Sequence, residues 1–413
     1  MLCDWRIVPE VDVSLKSIRE ARANIADSIY LSPCSHSATV SEMSGQTVYL
    51  KLENRQRTGA FKERGALNKL LALSSTERKR GVIAASAGNH AQGVAFHAQR
   101  NRIAAKIVMP VMTPLVKVNA TKGYGAEVVL HGDGYDEAYD EARLLAEREG
   151  LTFIHPFDDP AVIAGQGTIA LEILEQAPDL EAIVVPIGGG GLISGIACAM
   201  KETKPQVRVV GVQAARMPSM LEAVRAGRTV TIPVNPTIAD GIAVRRAGER
   251  TLKMVKKYVD EVVAVEEEEI ASGILTLLER EKTLAEGAGA AAVAALLHHK
   301  TSLKNLKTVA LICGGNIDVT LLSRIIERGL VKDGRIVRLQ IHLSDRPGSL
   351  HQLTRLIAAH HANIVELKFD RAYYGVSLGD TLIDISLETR GRDQIDRILK
   401  ALADAGYRHE LVV

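Results

Sequence analysis

The sequence predicts an α/β protein built on doubly wound, mostly parallel sheets, followed by a smaller ferredoxin-like domain. From residue 48 to residue 313, short β-branched runs alternate with amphipathic stretches of helical length. Parallel strands need connections of this length, so the alternation favours parallel sheets with helices on both faces. Beyond residue 336 the order becomes strand, helix, strand, strand, helix, strand, which is typical of the ferredoxin-like βαββαβ arrangement.

The strand candidates of the first body are short runs, most of them apolar at successive positions. They lie at residues 48–53, 81–86, 104–109, 126–131, 151–156, 181–187, 207–213, 261–265 and 308–313. Strands that are apolar on both faces must be covered on both sides. We therefore expect residues 1–330 to form an α/β body of two lobes with a cleft between them.

The last part of the chain has its own pattern, which begins after a short charged connector near Gly329. Its predicted elements are strand 337–343, helix 350–361, strand 363–369, strand 381–387, helix 392–405 and strand 408–412. This order predicts a separate domain over residues 336–413.

Composition argues against several classes of function. Charged residues make up 24% of the chain and the formal net charge is only +2, so no basic field favours nucleic acid or an anionic membrane. The cysteines at positions 3, 34, 198 and 313 lack the spacing of a disulfide framework or a zinc site. The N-terminal segment has no apolar signal-peptide core, and no run reaches the roughly 18 apolar residues of a membrane span. We expect a reduced, cytoplasmic protein that binds a small molecule.

Two segments place groups that could react with or bind a ligand, a lysine amine and backbone N–H groups, at predicted helix starts. In TGAFKERGA, residues 58–66, a partly desolvated Lys62 would have a lowered pKa and act as a nucleophile or base. The alternative is an ordinary surface lysine. In SAGNHAQG, residues 86–93, small residues after a strand allow backbone N–H groups to bind an anion such as a carboxylate. A simple capped turn explains that segment equally well.

Two further segments follow strands in the second half of the body. The glycine run of PIGGGGLISG, residues 186–195, suggests a close backbone approach to a phosphate. It lacks the lysine of a nucleoside triphosphate loop, and no acidic ribose partner supports dinucleotide binding. ICGGNID, residues 312–318, puts Cys313 at the carboxyl end of a strand, where open α/β sheets bind ligands. The alternative for Cys313 is a small buried hydrophobic residue.

These four segments, in this order, resemble the threonine/serine dehydratase (threonine ammonia-lyase) family of fold type II pyridoxal phosphate (PLP) enzymes. The resemblance covers most of residues 45–320, including HPFDDPAVIAGQGT and EGAGAAA. It implies a PLP-dependent catalytic domain over residues 1–330, with a small lobe of about residues 54–155 inserted in a large lobe.

The resemblance also implies site residues. Lys62 would bind PLP covalently and later take the substrate α-proton, while Phe61 and Asn89 would flank the cofactor and Asn89 would bond its ring hydroxyl. The phosphate would bind backbone N–H groups of Gly188, Gly189, Gly190, Gly191 and Leu192. The substrate carboxylate would bind Ser86, Ala87, Gly88, Asn89 and His90. Cys313 would face the pyridine nitrogen as a neutral thiol.

The implied reaction is β-elimination and deamination of L-threonine to 2-oxobutanoate and ammonia, with L-serine giving pyruvate. A neutral partner at the pyridine nitrogen weakens the electron sink, which suits elimination. Racemases of this fold tend to carry serine where this chain has Ala87, so racemisation is not expected. Gln213 and Ser219 stand where some relatives have metal-binding carboxylates, so we expect no divalent site. A serine or 3-hydroxyaspartate ammonia-lyase/racemase and a non-catalytic amino-acid sensor remain the alternatives.

The C-terminal segments SDRPGSL, residues 344–350, and HANI, residues 361–364, resemble the ACT domain. This regulatory module binds amino acids between paired copies, so the resemblance implies an amino-acid effector and a homodimer or homotetramer. Asp345, Gly348 and Asn363 would bind the effector, because Gly348 permits close approach to the backbone. A purely oligomerising domain is the alternative.

Overall fold

The chain forms two compact units, Met1–Asp318 and Val319–Val413. The computed structural model describes residues 13–370 and 379–412. The first unit carries two largely parallel sheets and the second carries one antiparallel sheet. The predicted fold class is therefore confirmed.

The first unit alternates strands and helices along its whole length. Its strands are β1 Cys34–His36, β2 Thr47–Leu52, β3 Val82–Ala85, β4 Ala105–Met109, β5 Glu127–Leu130, β6 Thr152–Phe153, β7 Ala182–Pro186, β8 Arg208–Ala214, β9 Glu261–Val265 and β10 Lys307–Ile312. Its α-helices are α1 Leu15–Ile25, α2 Ala38–Ser44, α3 Lys62–Leu71, α4 Ser75–Arg80, α5 Asn89–Arg100, α6 Leu115–Gly123, α7 Tyr135–Glu149, α8 Pro160–Gln176, α9 Gly191–Thr203, α10 Ser219–Ala226, α11 Glu249–Tyr258, α12 Glu267–Glu279 and α13 Gly287–Leu297.

The two sheets define two lobes. The large lobe is built on the order β1-β2-β10-β7-β8-β9, in which only the pairing of β1 with β2 is antiparallel. The small lobe, β3 to β6 with α5 to α7, has the parallel order β5-β4-β3-β6. Strand β7 is buried at every position, as a parallel strand with helices on both faces must be. The loops at the carboxyl ends of these strands carry the predicted site segments.

Two exposed ion pairs join the lobes. Lys117 of α6 lies 2.9 Å from the Asp240 carboxylate of the large lobe. Arg245 of the large lobe pairs with Asp136 of α7. Because these charges are partly in solvent, each pair contributes little to stability by itself.

A buried network of four charges joins β2, α3 and α8. The Arg64 guanidinium donates to Glu53 at 2.7 Å and to Glu172 at 2.6 Å. The Lys51 amine donates to Glu172 at 2.6 Å and to the Ser32 carbonyl at 2.7 Å. Two positive and two negative charges compensate one another, and this is the condition under which buried charges persist. The network fixes the helix that begins with Lys62, and no sequence motif predicted it.

We expect Glu172→Gln to lower the free energy of unfolding by about 3–5 kcal/mol, because it leaves buried positive charge uncompensated. The matched control is Glu175→Gln on the same helix, since Glu175 pairs with Arg22 at the surface. That control should lose less than about 1 kcal/mol. Urea unfolding of both variants measures the difference, and equal losses would contradict the role of the network.

The second unit has the predicted ferredoxin-like order. Its elements are α14 Val319–Lys332, β11 Ile336–Ser344, α15 Ser349–Ala359, β12 Asn363–Asp370, β13 Asp380–Glu388, α16 Arg392–Asp404 and β14 His409–Val412. The antiparallel sheet has the order β12-β13-β11-β14. Alternate residues of β11 and β13 are buried against α15 and α16, as a sheet with one covered face requires.

Within residues 13–370 and 379–412, no helix is long and apolar enough to cross a bilayer.

Candidate active site

Lys62 lies beside Cys313 because two chain segments are joined by backbone hydrogen bonds. The Phe61 N–H donates to the Cys313 carbonyl at 3.0 Å, and the Gly315 N–H donates to the Gly59 carbonyl at 2.9 Å. The Lys62 amine donates to the Pro156 carbonyl at 2.9 Å. Burial lowers the pKa of Lys62 to about 8, although Cys313 and Glu286 oppose the shift. The amine is therefore easier to deprotonate than that of an ordinary lysine, and about half of it is neutral near pH 8.

The glycine turn between β7 and α9 has no room for side chains. A Cβ atom added at Gly189 would lie 2.4 Å from the Phe157 ring, and one at Gly191 would lie 2.6 Å from the Phe157 carbonyl. Gly190 has a φ of +98°, a conformation that favours glycine. The Thr251 hydroxyl donates to the Gly189 carbonyl at 2.6 Å and orients the turn. The first N–H groups of α9, which have no acceptors within the helix, form the end of this turn.

The segment Ser86–His90 forms the turn from β3 into α5. The Gly88 N–H donates to the Ser86 hydroxyl at 3.2 Å, and the helix begins at Asn89. The His90 ring bonds the Ile154 carbonyl at 3.0 Å, and burial, with Lys62 adding to it, lowers its pKa to about 3. His90 is therefore neutral, with its Nε2 atom bonded within the small lobe and its buried Nδ1 atom without a hydrogen-bond partner among the described residues. The Ala87 methyl group packs against the small-lobe core.

Asn89 and Cys313 lie close to an acid for which the sequence predicts no role. The Asn89 amide donates to the Glu286 carboxyl at 2.6 Å and accepts from the Asn316 amide at 2.8 Å. Burial, with Glu286 adding to it, raises the pKa of Cys313 well above its ordinary value, so this side chain is a neutral thiol. Glu286 is the first residue of the EGAGAAA segment. Its position before a glycine-rich helix start is the feature of the sequence from which a role in the site could have been predicted.

Gln213 and Ser219 are both buried in the fold. The Gln213 amide oxygen accepts from the Leu221 N–H at 2.9 Å, which joins β8 to α10. Ser219 is buried at the start of α10. Among the residues that the structure describes, no three acidic, histidine or cysteine side chains form a metal-binding group.

The predicted effector residues do not converge within one chain. Gly348 precedes α15 with a φ of +91°, and Asp345 directly follows β11. Asn363 pairs with Glu388, which in turn pairs with Ile336 at the opposite end of β11. At the usual rise per strand residue, that end lies about 30 Å from Asp345. A site that contains all three residues therefore needs two copies of the domain.

Comparison with known proteins agrees with this geometry. Residues 25–314 match the family described as pyridoxal-phosphate dependent enzyme. The chain belongs to this family. Residues 333–405 match the ACT domain.

Relatives of the PLP enzyme family match most of the chain. The chain is 49% identical to an L-threonine ammonia-lyase of Thermotoga maritima over 97% of its own length and 100% of that protein. A threonine deaminase structure from Solanum lycopersicum has a TM-score of 0.72 at 39% identity, over 76% of this chain and 87% of that one. The structure of maize serine racemase has a TM-score of 0.73 at 34% identity, over 78% of this chain and 98% of the racemase chain.

The residues of this candidate site fit PLP, the cofactor of this family. A lysine amine with a lowered pKa suits attachment to an aldehyde. The turn at Gly188–Gly191 excludes side chains and ends at a helix start, which suits a phosphate group. A neutral thiol at Cys313 and an oriented amide at Asn89 provide polar partners that suit the ring.

We expect Gly189→Ala to lower the free energy of unfolding by about 1–3 kcal/mol, because the new methyl group overlaps the Phe157 ring. Gly123→Ala is the control, since nothing lies within 4 Å of the added atom in α6. That change should be neutral or stabilising by up to about 1 kcal/mol. Urea unfolding measures both. If the double variant Gly189→Ala with Phe157→Ala regains part of the lost free energy of unfolding, the overlap is the cause of the loss. No regain would contradict this explanation.

Proposed function

We propose that the protein is a threonine ammonia-lyase that converts L-threonine to 2-oxobutanoate and ammonia and also accepts L-serine, giving pyruvate. The observation that carries the proposal is the buried Lys62 amine, with its lowered pKa, beside the neutral Cys313 thiol. The full-length similarity to an L-threonine ammonia-lyase supports it.

Lys62 is the proposed base. When bound, PLP withdraws electrons from the substrate and so makes the α-proton acidic. The neutral Lys62 amine takes that proton, and the β-hydroxyl leaves as water when the protonated amine gives the proton to it. The released 2-aminocrotonate tautomerises and hydrolyses to 2-oxobutanoate and ammonia. The proposed cofactor contacts are Phe61, Asn89, Cys313 and the backbone of Gly188, Gly189, Gly190, Gly191 and Leu192.

The loop from Ser86 to His90 is proposed to hold the substrate carboxylate. Its backbone N–H groups at the start of α5 have the polarity that an anion needs. His90 contributes its backbone, because its neutral ring donates through Nε2 to Ile154 and its Nδ1 atom is then an acceptor that cannot bind a carboxylate. Ala87 has no hydroxyl with which to return a proton to the opposite face of the α-carbon, so elimination is favoured over racemisation. The serine racemase likeness makes this distinction worth testing.

Three alternative functions are tested with the same protein preparations. A serine or 3-hydroxyaspartate ammonia-lyase would release 2-oxo acid from those substrates faster than from L-threonine. A racemase would form D-amino acid from an L-substrate. A non-catalytic amino-acid sensor would release no 2-oxo acid at all.

We expect Lys62→Ala to remove the visible absorbance of the bound cofactor and to lower the rate of 2-oxobutanoate formation by about 10³-fold or more. The control Lys79→Ala changes an exposed lysine of α4 and should leave both unchanged. Borohydride should abolish the absorbance of the wild-type protein and of the control. An unchanged spectrum in Lys62→Ala would contradict the assignment.

The second unit is proposed to bind an amino-acid effector, with Asp345, Gly348 and Asn363 brought together by two copies in a homodimer or homotetramer. The proposed setting is the cytoplasm, where the product feeds isoleucine synthesis or the enzyme degrades threonine. Inhibition by isoleucine would favour the biosynthetic role.

We expect Gly348→Ala to weaken the effect of isoleucine or valine on activity, because a side chain at positive φ strains the proposed binding turn. A loss of about 1.4 kcal/mol would raise the half-maximal concentration tenfold. Gly406→Ala is the control, since Gly406 also has positive φ and lies in the same unit. Equal responses of the two variants in an activity titration would contradict the proposal.

A further inference from the structure

Glu286 is enclosed at the junction of several site segments. It is 4% exposed and directly precedes α13, where its N–H donates to the Gly314 carbonyl at 3.1 Å. A Cβ atom at Gly314 would lie 2.3 Å from its Oε1 atom, and one at Gly241 would lie 3.3 Å from it. Both glycines therefore permit the close approach of backbone to this carboxyl group.

The carboxyl group determines how the Asn89 amide is oriented. Asn89 donates through Nδ2 to Glu286, and its Oδ1 accepts from the Asn316 amide. Asn316 is itself held by donation to the Thr58 carbonyl at 2.7 Å. With both ends of the Asn89 amide engaged, one of its two N–H groups bonds Glu286 and the second is available to a ligand.

Charged groups surround Glu286 on several elements. Burial, followed by the Asp240 carboxylate, raises the pKa of Glu286 to about 7, and Asn89, Lys117 and Asn316 oppose that shift. Lys62 and Cys313 interact with the same carboxyl group. Asp240 is itself paired with Lys117 at the surface.

We propose that Glu286 is a positioning residue that acts through Asn89, holding its amide so that the second N–H donates to the ring oxygen of PLP. This inference rests on the proposed function. Hydrogen bonds in a chain polarise one another, so the charge on Glu286 modulates the strength of that second donation. A neutral Glu286 leaves Asn89 the stronger donor to the ring, and an ionised Glu286 leaves it the weaker one.

Glu286→Gln tests the proposal because glutamine keeps the size and the acceptor oxygen but cannot ionise. The holoenzyme is titrated from about pH 5 to about pH 9, and both the cofactor absorbance and the rate with L-threonine are followed. We expect the wild-type protein to show a spectral transition near neutral pH that Glu286→Gln lacks. A transition that persists unchanged in Glu286→Gln would overturn the proposal.

Asp240→Asn is the second variant and lies outside the proposed machinery. It removes the nearby negative charge that raises the pKa of Glu286, and this change favours ionised Glu286. The transition should therefore move to lower pH in Asp240→Asn, with the rate at the optimum retained. A transition that does not move would count against Glu286 as its origin.

Thermal unfolding provides a readout that is independent of activity. The pKa of Glu286 is higher in the folded than in the unfolded protein, so the folded state binds the extra proton between the two values. The stability of the wild-type protein relative to that of Glu286→Gln should therefore fall as pH rises through that window. The measurement is the difference in Tm between the two proteins, which should decrease. A constant difference, with identical spectra, would reduce Glu286 to a structural role and overturn the proposal.

The proposed function and this inference fail in different ways. A colourless wild-type protein that releases no 2-oxo acid would remove the proposed function. A coloured, active protein whose pH profile ignores Glu286→Gln would remove only the inference.

Discussion

The compensation of buried charge around Arg64 is the interaction on which the arrangement of the site depends. Arg64 stands two residues after Lys62 on α3, and its guanidinium bonds Glu53 and Glu172 in the interior. A charged group transferred from water to a protein interior needs both an opposite charge and complete hydrogen bonding. The network meets this requirement by holding α3 against β2 and α8. Lys62, two residues before Arg64, is placed by the same contacts, and its amine bonds the Pro156 carbonyl.

The same low-polarity environment accounts for the protonation states in the site. Burial disfavours charge, so it moves Lys62 towards the neutral amine, Cys313 towards the thiol and Glu286 towards the acid. His90 is neutral for the same reason. One physical cause thus provides a base, an uncharged ring partner and an acid that titrates near neutral pH.

Local patterns made the fold class and most strands predictable, because β7 is a continuous apolar run, β10 ends in one and β11 alternates. The glycine turn was also predictable, since four successive glycines need a spatial reason. The charge network was not, because Lys51 and Glu172 are far apart in sequence and look like surface residues. Glu286 was missed because a lone glutamate before a helix usually acts only as a cap. The separation of Asn363 from Asp345 follows from the order of the strands in the sheet. The hydrophobic periodicity of a sequence predicts strands but not their order.

The ion pairs Lys117–Asp240 and Arg245–Asp136 differ from the buried charge network in how they respond to dissolved ions. Both join the small lobe to the large lobe through side chains that solvent reaches. Attraction between such charges weakens as dissolved ions accumulate around them, whereas the buried charges near Arg64 are shielded from those ions. Raising the ionic strength therefore weakens these two pairs, whereas the hydrogen bonds of Asn89 with Glu286 and Asn316 still join the lobes. Dissolved ions thus act on the rim of the contact between the lobes more than on its interior.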